Sequence, residues 1–345
     1  MRVDEFLEPR VLIVSGKGGV GKTTVAAALA LVAARRGRTV CLAEVDRKGS
    51  LPKLFDAPGL GYDPKEMSPG VWGMNIVPEA ALAEYLEVQY HMRRISKAFS
   101  STHFVDYITT AAPGLKDILV LGKIWYLEQG RDSGGGQPHF DTIVVDAPAA
   151  GHMLSFLSAP MGLSDALQIG PVRRQSDWLI GMLRDPERTR VHLVTLPEEM
   201  PVSETLETAE ALRTKVGIDT GAVFANAVYS KLFTPAESKR VGELLNGRLD
   251  NGAAGTLPVK TLPTTTLMTE AKAVGLDLDS DDIDAVLGYA RFLEARRAIQ
   301  ASHLKKLKHG VADPVIELPF LFSAGLALPD IETLADGIET EIEEI

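Results

Sequence analysis

One stretch constrains the fold more than any other: Val11-Leu-Ile-Val-Ser-Gly-Lys-Gly-Gly-Val-Gly-Lys-Thr-Thr24. Its four leading apolar residues, Val11 to Val14, have the length and composition of a fully buried strand. A turn with Gly16, Gly18, Gly19 and Gly21 follows. Lys22-Thr23-Thr24 then leads into an Ala- and Leu-rich run to Ala34 that reads as a helix. Strand, glycine turn and helix in that order open a βαβ unit, and similar alternation downstream argues for a parallel sheet. The residue types also prescribe chemistry. Glycines let successive backbone N–H groups turn inward around a phosphate, and the helix N-terminus adds unpaired donors. The helix dipole contributes roughly 0.3–2 kcal/mol, too little to hold a polyphosphate, so Lys22 must add a full charge. The Thr23 hydroxyl is placed to ligate Mg²⁺. This is G-x-x-x-x-G-K-[ST] in the context that confirms a P-loop. The expected nucleotide contacts are Gly18, Gly19, Val20, Gly21, Lys22, Thr23 and Thr24.

Further strands carry polar residues at their carboxyl ends, where open α/β sheets place their sites. Thr39–Val45 is a second buried strand with Asp46 just beyond it, either a catalytic group or a loop cap. Phe140–Asp146 is a third, in the Walker B arrangement that supports Mg²⁺. Arg190–Leu196 and Gly221–Asn226 follow, separated by a helix from Pro201 to Val216 that Gly217 closes. Residues 56–75 read as loop, with a short strand from Met74 to Val77. Ala80–Phe99 has helical spacing. Ala112–Leu127 also reads as a helix, apolar around much of its circumference, which suits either a buried helix or a partner surface. A long helix is expected from Ser280 to His309, acidic at its start and basic at its end.

Composition excludes several function classes. The 345 residues carry a net charge of −10, which argues against nonspecific nucleic-acid binding. The single cysteine, Cys41, leaves no thiolate set for zinc, for an Fe–S cluster or for an intrachain disulfide. The N-terminal residues contain acids and no apolar core, unlike a signal peptide. The longest apolar run, Val25 to Ala34, is too short to span a bilayer. Residues 330–345 hold seven acids and no Lys or Arg, a segment that anionic lipid would repel. The expectation is a soluble, cytoplasmic protein without direct membrane insertion.

With Lys17, the motif Gly16-Lys-Gly-Gly-Val-Gly-Lys-Thr23 resembles the deviant Walker A of the class that holds the arsenite-pump ATPase, the ATPase targeting tail-anchored proteins, MinD, ParA and the nitrogenase iron protein. The continuation Asp146-Ala-Pro-Ala-Ala-Gly-His-Met-Leu-Ser-Phe-Leu-Ser-Ala-Pro160 is similar to switch II of the arsenite-pump and tail-anchored group. Asp146, Gly151, His152, Leu157 and Pro160 match; Pro148 stands one position early and Ala150 replaces a threonine. Asp46, Leu51 and Phe55 keep the switch I pattern, while Arg47 and Gly49 replace its proline and histidine.

The resemblance implies a doubly wound, mostly parallel sheet and a Mg²⁺-dependent ATPase that dimerises with an identical or paralogous chain. It assigns Lys17 a catalytic role across the dimer interface, Lys22 to the β and γ phosphates, Thr23 and Asp146 to Mg²⁺, and Asp46 to the attacking water. Asn226 and Pro319 would lie beside the adenine, and His152 either couples the site to the helices or is a core histidine. A single domain over 1–345 is expected, with a nucleotide-binding core of about 8–78, 139–160, 188–232 and 312–345. Helical inserts of about 80–130, 150–185 and 235–310 would form a subdomain. A protein or membrane-linked hydrophobic client is the expected output. An anion-efflux subunit and a MinD- or ParA-like positioning ATPase are the alternatives.

Overall fold

The first strand, β1 (Val11–Gly16), is buried at every position, as an apolar run without polar alternation requires in a sheet covered on both faces. It belongs to a computed structural model that describes residues 1–45, 49–90, 114–130, 139–167, 169–231, 264–273 and 275–345, with 233, 234, 236, 237 and 239 between them. These residues divide into two units, Met1–Ala227 with Lys305–Ile345, and Val228–Leu304.

Along the chain the elements are α1 (Val3–Phe6), β1, α2 (Lys22–Arg35), β2 (Val40–Glu44), α3 (Leu51–Leu54), β3 (Lys65–Ser68), β4 (Val71–Asn75) and α4 (Pro78–Tyr90). Then come α5 (Leu115–Glu128), β5 (Thr142–Ala149), α6 (Ala150–Ala166), α7 (Pro171–Arg184), β6 (Thr189–Thr195), α8 (Glu199–Ala211) and β7 (Thr220–Val228). The last are α9 (Thr264–Ala273), α10 (Ser280–Gly310), β8 (Val315–Pro319) and α11 (Leu328–Glu344). The eight-stranded sheet has the order β3-β4-β2-β5-β1-β6-β7-β8. β1 pairs in parallel with β5 and β6, β2 with β4 and β5, and β6 with β7; β3 is antiparallel to β4. The fold is α/β with a mostly parallel sheet, as expected. Register does the work that matters for function: Val14 and Glu44 both lie opposite Asp146. The P-loop and the ends of β2 and β5 therefore meet at one edge.

Two readings of the sequence need correction. The segment 56–75 is not wholly loop, because β3 and β4 occupy its second half, and β4 begins at Val71 instead of Met74. The acidic C-terminal segment is not a bare tail. It is α11, which buries Ile331, Leu334, Ala335, Ile338 and Ile342 at helical spacing. Three of its acids meet the end of α2: Arg35 pairs with Asp336 at 2.6 Å, and Arg36 with Glu339 at 3.2 Å and Glu343 at 3.4 Å. Packing against both the sheet and α11 explains why α2 is apolar nearly all round and buried from Val25 to Ala33. The high acid count hid this periodicity.

The helix expected over 201–216 is α8 followed by a π-helical turn, Leu212–Val216, which Gly217 ends at φ 74°. The second half of the helix expected over 80–99 lies outside the described residues. Among the described residues, no helix is long and apolar enough to cross a membrane.

Candidate active site

The P-loop glycines are fixed by contact and by backbone angle. At Gly16 (φ +154°), an added Cβ would lie 2.0 Å from the Val194 carbonyl oxygen on the neighbouring strand. At Gly21 (φ +93°) it would strike the Asn226 amide at 2.3 Å. Gly21 is also the N-cap of α2, in the left-handed conformation that glycine adopts without strain. By contrast, Gly18 and Gly19 form an open apex with nothing within 4 Å of an added Cβ. The loop is thus rigid at its base and clear at the mouth where a phosphate enters.

Lys22 is buried at the first turn of α2, and its amine donates to the Lys17 carbonyl at 3.1 Å. The Thr23 hydroxyl donates to Asp146 Oδ2 at 2.6 Å. Asp146 is only 1% exposed, so its carboxylate is held inside the fold beside the Thr23 hydroxyl. The Ser15 hydroxyl donates to the Pro148 carbonyl at 2.7 Å, tying the base of the P-loop to the start of the switch II segment. β5 runs on to Ala149 and α6 starts at Ala150, so that segment is strand and helix with little slack between them.

The structure brings Lys22, Thr23, Asp146 and Asn226 together. Asn226 donates through Nδ2 to the Val20 carbonyl at 2.9 Å, so it braces the P-loop from β7. Pro319 ends β8 and leans toward Gly337 of α11, where an added Cβ would lie 3.6 Å from its Cδ. Thr24 is half-buried in the first turn of α2. Asp46 lies outside the described residues. Lys17 reaches sideways: its amine is 2.5 Å from Glu204 of α8. His152 is exposed on α6, which removes the core-histidine reading, and its charge is felt by Asp117 of α5. Burial pushes the Asp117 carboxyl above its ordinary range, and His152 pulls it back down.

Sequence reasoning missed two carboxylates. Glu44 ends β2, is 1% exposed, and accepts the Gly49 N–H at 3.1 Å and the Ser50 N–H and hydroxyl at 3.4 Å. A charged residue closing an otherwise apolar strand was the available signal. Glu204 gave none, since no spacing links it to the P-loop.

Comparison with known proteins agrees with this geometry. A sequence model of the family described as anion-transporting ATPase matches residues 9–179. The ATPase BagA of Mycobacterium tuberculosis is 35% identical over 289 residues, covering 79% of this chain and 84% of the relative. The chain belongs to the ArsA ATPase family. The arsenical pump-driving ATPase of Acidiphilium multivorum is 27% identical over 281 residues, 76% of this chain and 46% of that protein. The ATPase GET3 of Podospora anserina is 26% identical over 210 residues, 60% and 58% respectively. As a member of the ArsA family, the chain is a nucleotide-binding, ATP-hydrolysing enzyme.

Proposed function

We propose that this ATPase is a Mg²⁺-dependent switch that closes as a dimer around ATP and passes that closure to a hydrophobic protein client. The observation that carries the reading is the Thr23–Asp146 contact beside buried Lys22. Mg²⁺ selects hard oxygen donors, and a hydroxyl and a carboxylate 2.6 Å apart at the phosphate mouth fit it. Thr23 and Asp146 would hold the ion, which when bound supplies positive charge to the β and γ phosphate oxygens. The amides of Gly18 to Gly21 and the Lys22 amine bind the phosphates. Asp46 orients water, Asn226 and Pro319 border the base, and Lys17 acts on the nucleotide of the second chain, identical or paralogous. Phosphoryl transfer then needs positioning and charge stabilisation more than covalent chemistry.

A route from the site to a client is supported by α6. It begins where the switch II strand ends, carries His152 near its start, and packs against α5. α5 helps enclose a cavity of about 300 Å³ with α4 and α7, whose walls include Leu115, Ile118, Trp125 and Trp178. Arsenite is not the ligand. Its soft centre needs thiolates, and Cys41 is 0% exposed with its thiol pushed up to about 12 by burial. Arsenite and antimonite are expected to leave the ATPase rate unchanged; stimulation that survives Cys41→Ser would show another site.

Light scattering with a slowly hydrolysed ATP analogue tests the switch. Wild type is expected to associate with Mg²⁺ and analogue, and Lys17→Ala to remain monomeric. Equal monomer populations with and without nucleotide in the wild type would overturn it.

A further inference from the structure

Lys17 Nζ lies 2.5 Å from Glu204 Oε2, and both side chains remain about one-third exposed, at 32% and 35%. The carboxylate is offered from a firm support. Val202, Thr205, Thr208 and Ala211 bury the inner face of α8, and the Thr208 hydroxyl donates to the Glu204 carbonyl at 2.7 Å. The surroundings are open: Gly18 and Gly19 leave the apex clear, and Met200, one turn before Glu204, is 67% exposed. The ion pair therefore lies on uncovered surface beside the mouth of the phosphate cradle. Glu204 also falls beyond residues 9–179, which the family model matches.

We infer that Glu204 is a positioning residue for Lys17: it parks the lysine on its own chain and releases it when a second chain covers the P-loop. The inference rests on the proposed action of Lys17 across a dimer interface. A lysine already satisfied by its own chain gains less by reaching a partner's nucleotide. The pair therefore favours the open state and raises the nucleotide concentration needed for closure, since a ligand shifts an equilibrium only by its differential affinity. Partly exposed ion pairs are weak, so Glu204 sets a threshold and does not lock the chain open. The incoming polyphosphate, with several negative charges, outbids one carboxylate.

Two measurements on the full chain test this. In the first, the concentration of Mg²⁺ and slowly hydrolysed ATP analogue at half-association is measured by light scattering. Glu204→Gln should lower it about two- to five-fold, the range that a partly exposed ion pair supports. Adding Glu204→Gln to Lys17→Ala should change nothing further. A purely structural role for Glu204 would impair association instead of easing it. In the second, nucleotide-free protein is treated with an acylating reagent and modification of Lys17 is followed by mass spectrometry. Removing the carboxylate should speed that modification. An unchanged or raised midpoint in Glu204→Gln, with the wild type still associating, overturns the inference and leaves the dimer standing. Failure of the wild type to associate at saturating analogue overturns the dimer and the inference together. Equal Lys17 modification in wild type and Glu204→Gln overturns the ion pair itself.

Discussion

Two regions of the first unit each bury a lysine, and they use it in opposite ways. Lys22, at the N-terminus of α2, directs its amine to the Lys17 carbonyl, a neutral acceptor, within a loop built to hold anions. Lys123, on α5, is equally buried, but its amine meets a carboxylate, Glu84 Oε1, at 2.7 Å. The Tyr62 hydroxyl also donates to Glu84, and the rings of Tyr62 and Tyr126 lie 4.9 and 5.6 Å from the amine. A buried charge is costly unless it is paired. At Lys123 the chain supplies the counter-charge itself, so the group is structural. Lys22 instead sits at a helix N-terminus inside the glycine-rich turn, and the proposed function gives its charge to an incoming phosphate.

Substitution separates the two regions, and the largest effect is expected at Lys22. Lys22→Ala should reduce ATP turnover by at least about 10²–10³-fold, the scale for losing one preorganised charge-stabilising group, while the protein stays folded. Steady-state kinetics with a melting curve checks both halves. Lys123→Ala should do the reverse. It removes the counter-charge of Glu84, which keeps the Tyr62 hydroxyl and is 19% exposed, costing about 1–3 kcal/mol of stability, with nucleotide affinity of the folded protein unchanged. Chemical denaturation and ATP titration decide this, and a Lys123→Ala protein of normal stability with poor ATP binding would erase the contrast.

A third buried basic group sharpens the comparison at smaller scale. His192 on β6 is 1% exposed, stacks on Phe6 at 4.9 Å, and has no hydrogen-bond partner at either ring nitrogen. Burial pushes its pKa down to about 3, and Arg190 adds to the shift. The native protein therefore refuses a proton that the unfolded chain accepts below about pH 6.5. Stability is lost as pH falls from about 6.5 toward 3, and at pH 5 the loss is on the order of 2 kcal/mol. Urea unfolding at pH 7, 6 and 5 should show a steeper decline in wild type than in His192→Phe. Parallel declines would mean that other groups carry the acid sensitivity.

What the sequence revealed depended on whether a residue's role is local. The strand, glycine turn and helix of the P-loop are consecutive, so Lys22, Thr23 and the sheet class were legible. Asp146 was legible because a strand end announces itself by a change in polarity. Lys123 and Glu84, 39 positions apart, were not, nor were Lys17 and Glu204, 187 positions apart, because only packing joins them. α11 was obscured for a different reason: its acids dominate the composition, while its five buried apolar positions appear only when the segment is read at helical spacing.

The central claim, that Lys17 serves the nucleotide of a second chain, has a direct test in mixing two defective proteins. Lys17→Ala keeps a whole cradle but lacks the lysine to lend; Lys22→Ala lacks the cradle but keeps Lys17. Each alone should hydrolyse ATP poorly. Mixed in equal amounts, they should hydrolyse ATP clearly faster than the average of the two alone, since each mixed dimer holds one complete site, with Lys22 from one chain and Lys17 from the other. A mixture no more active than the average of its parts would contradict the account.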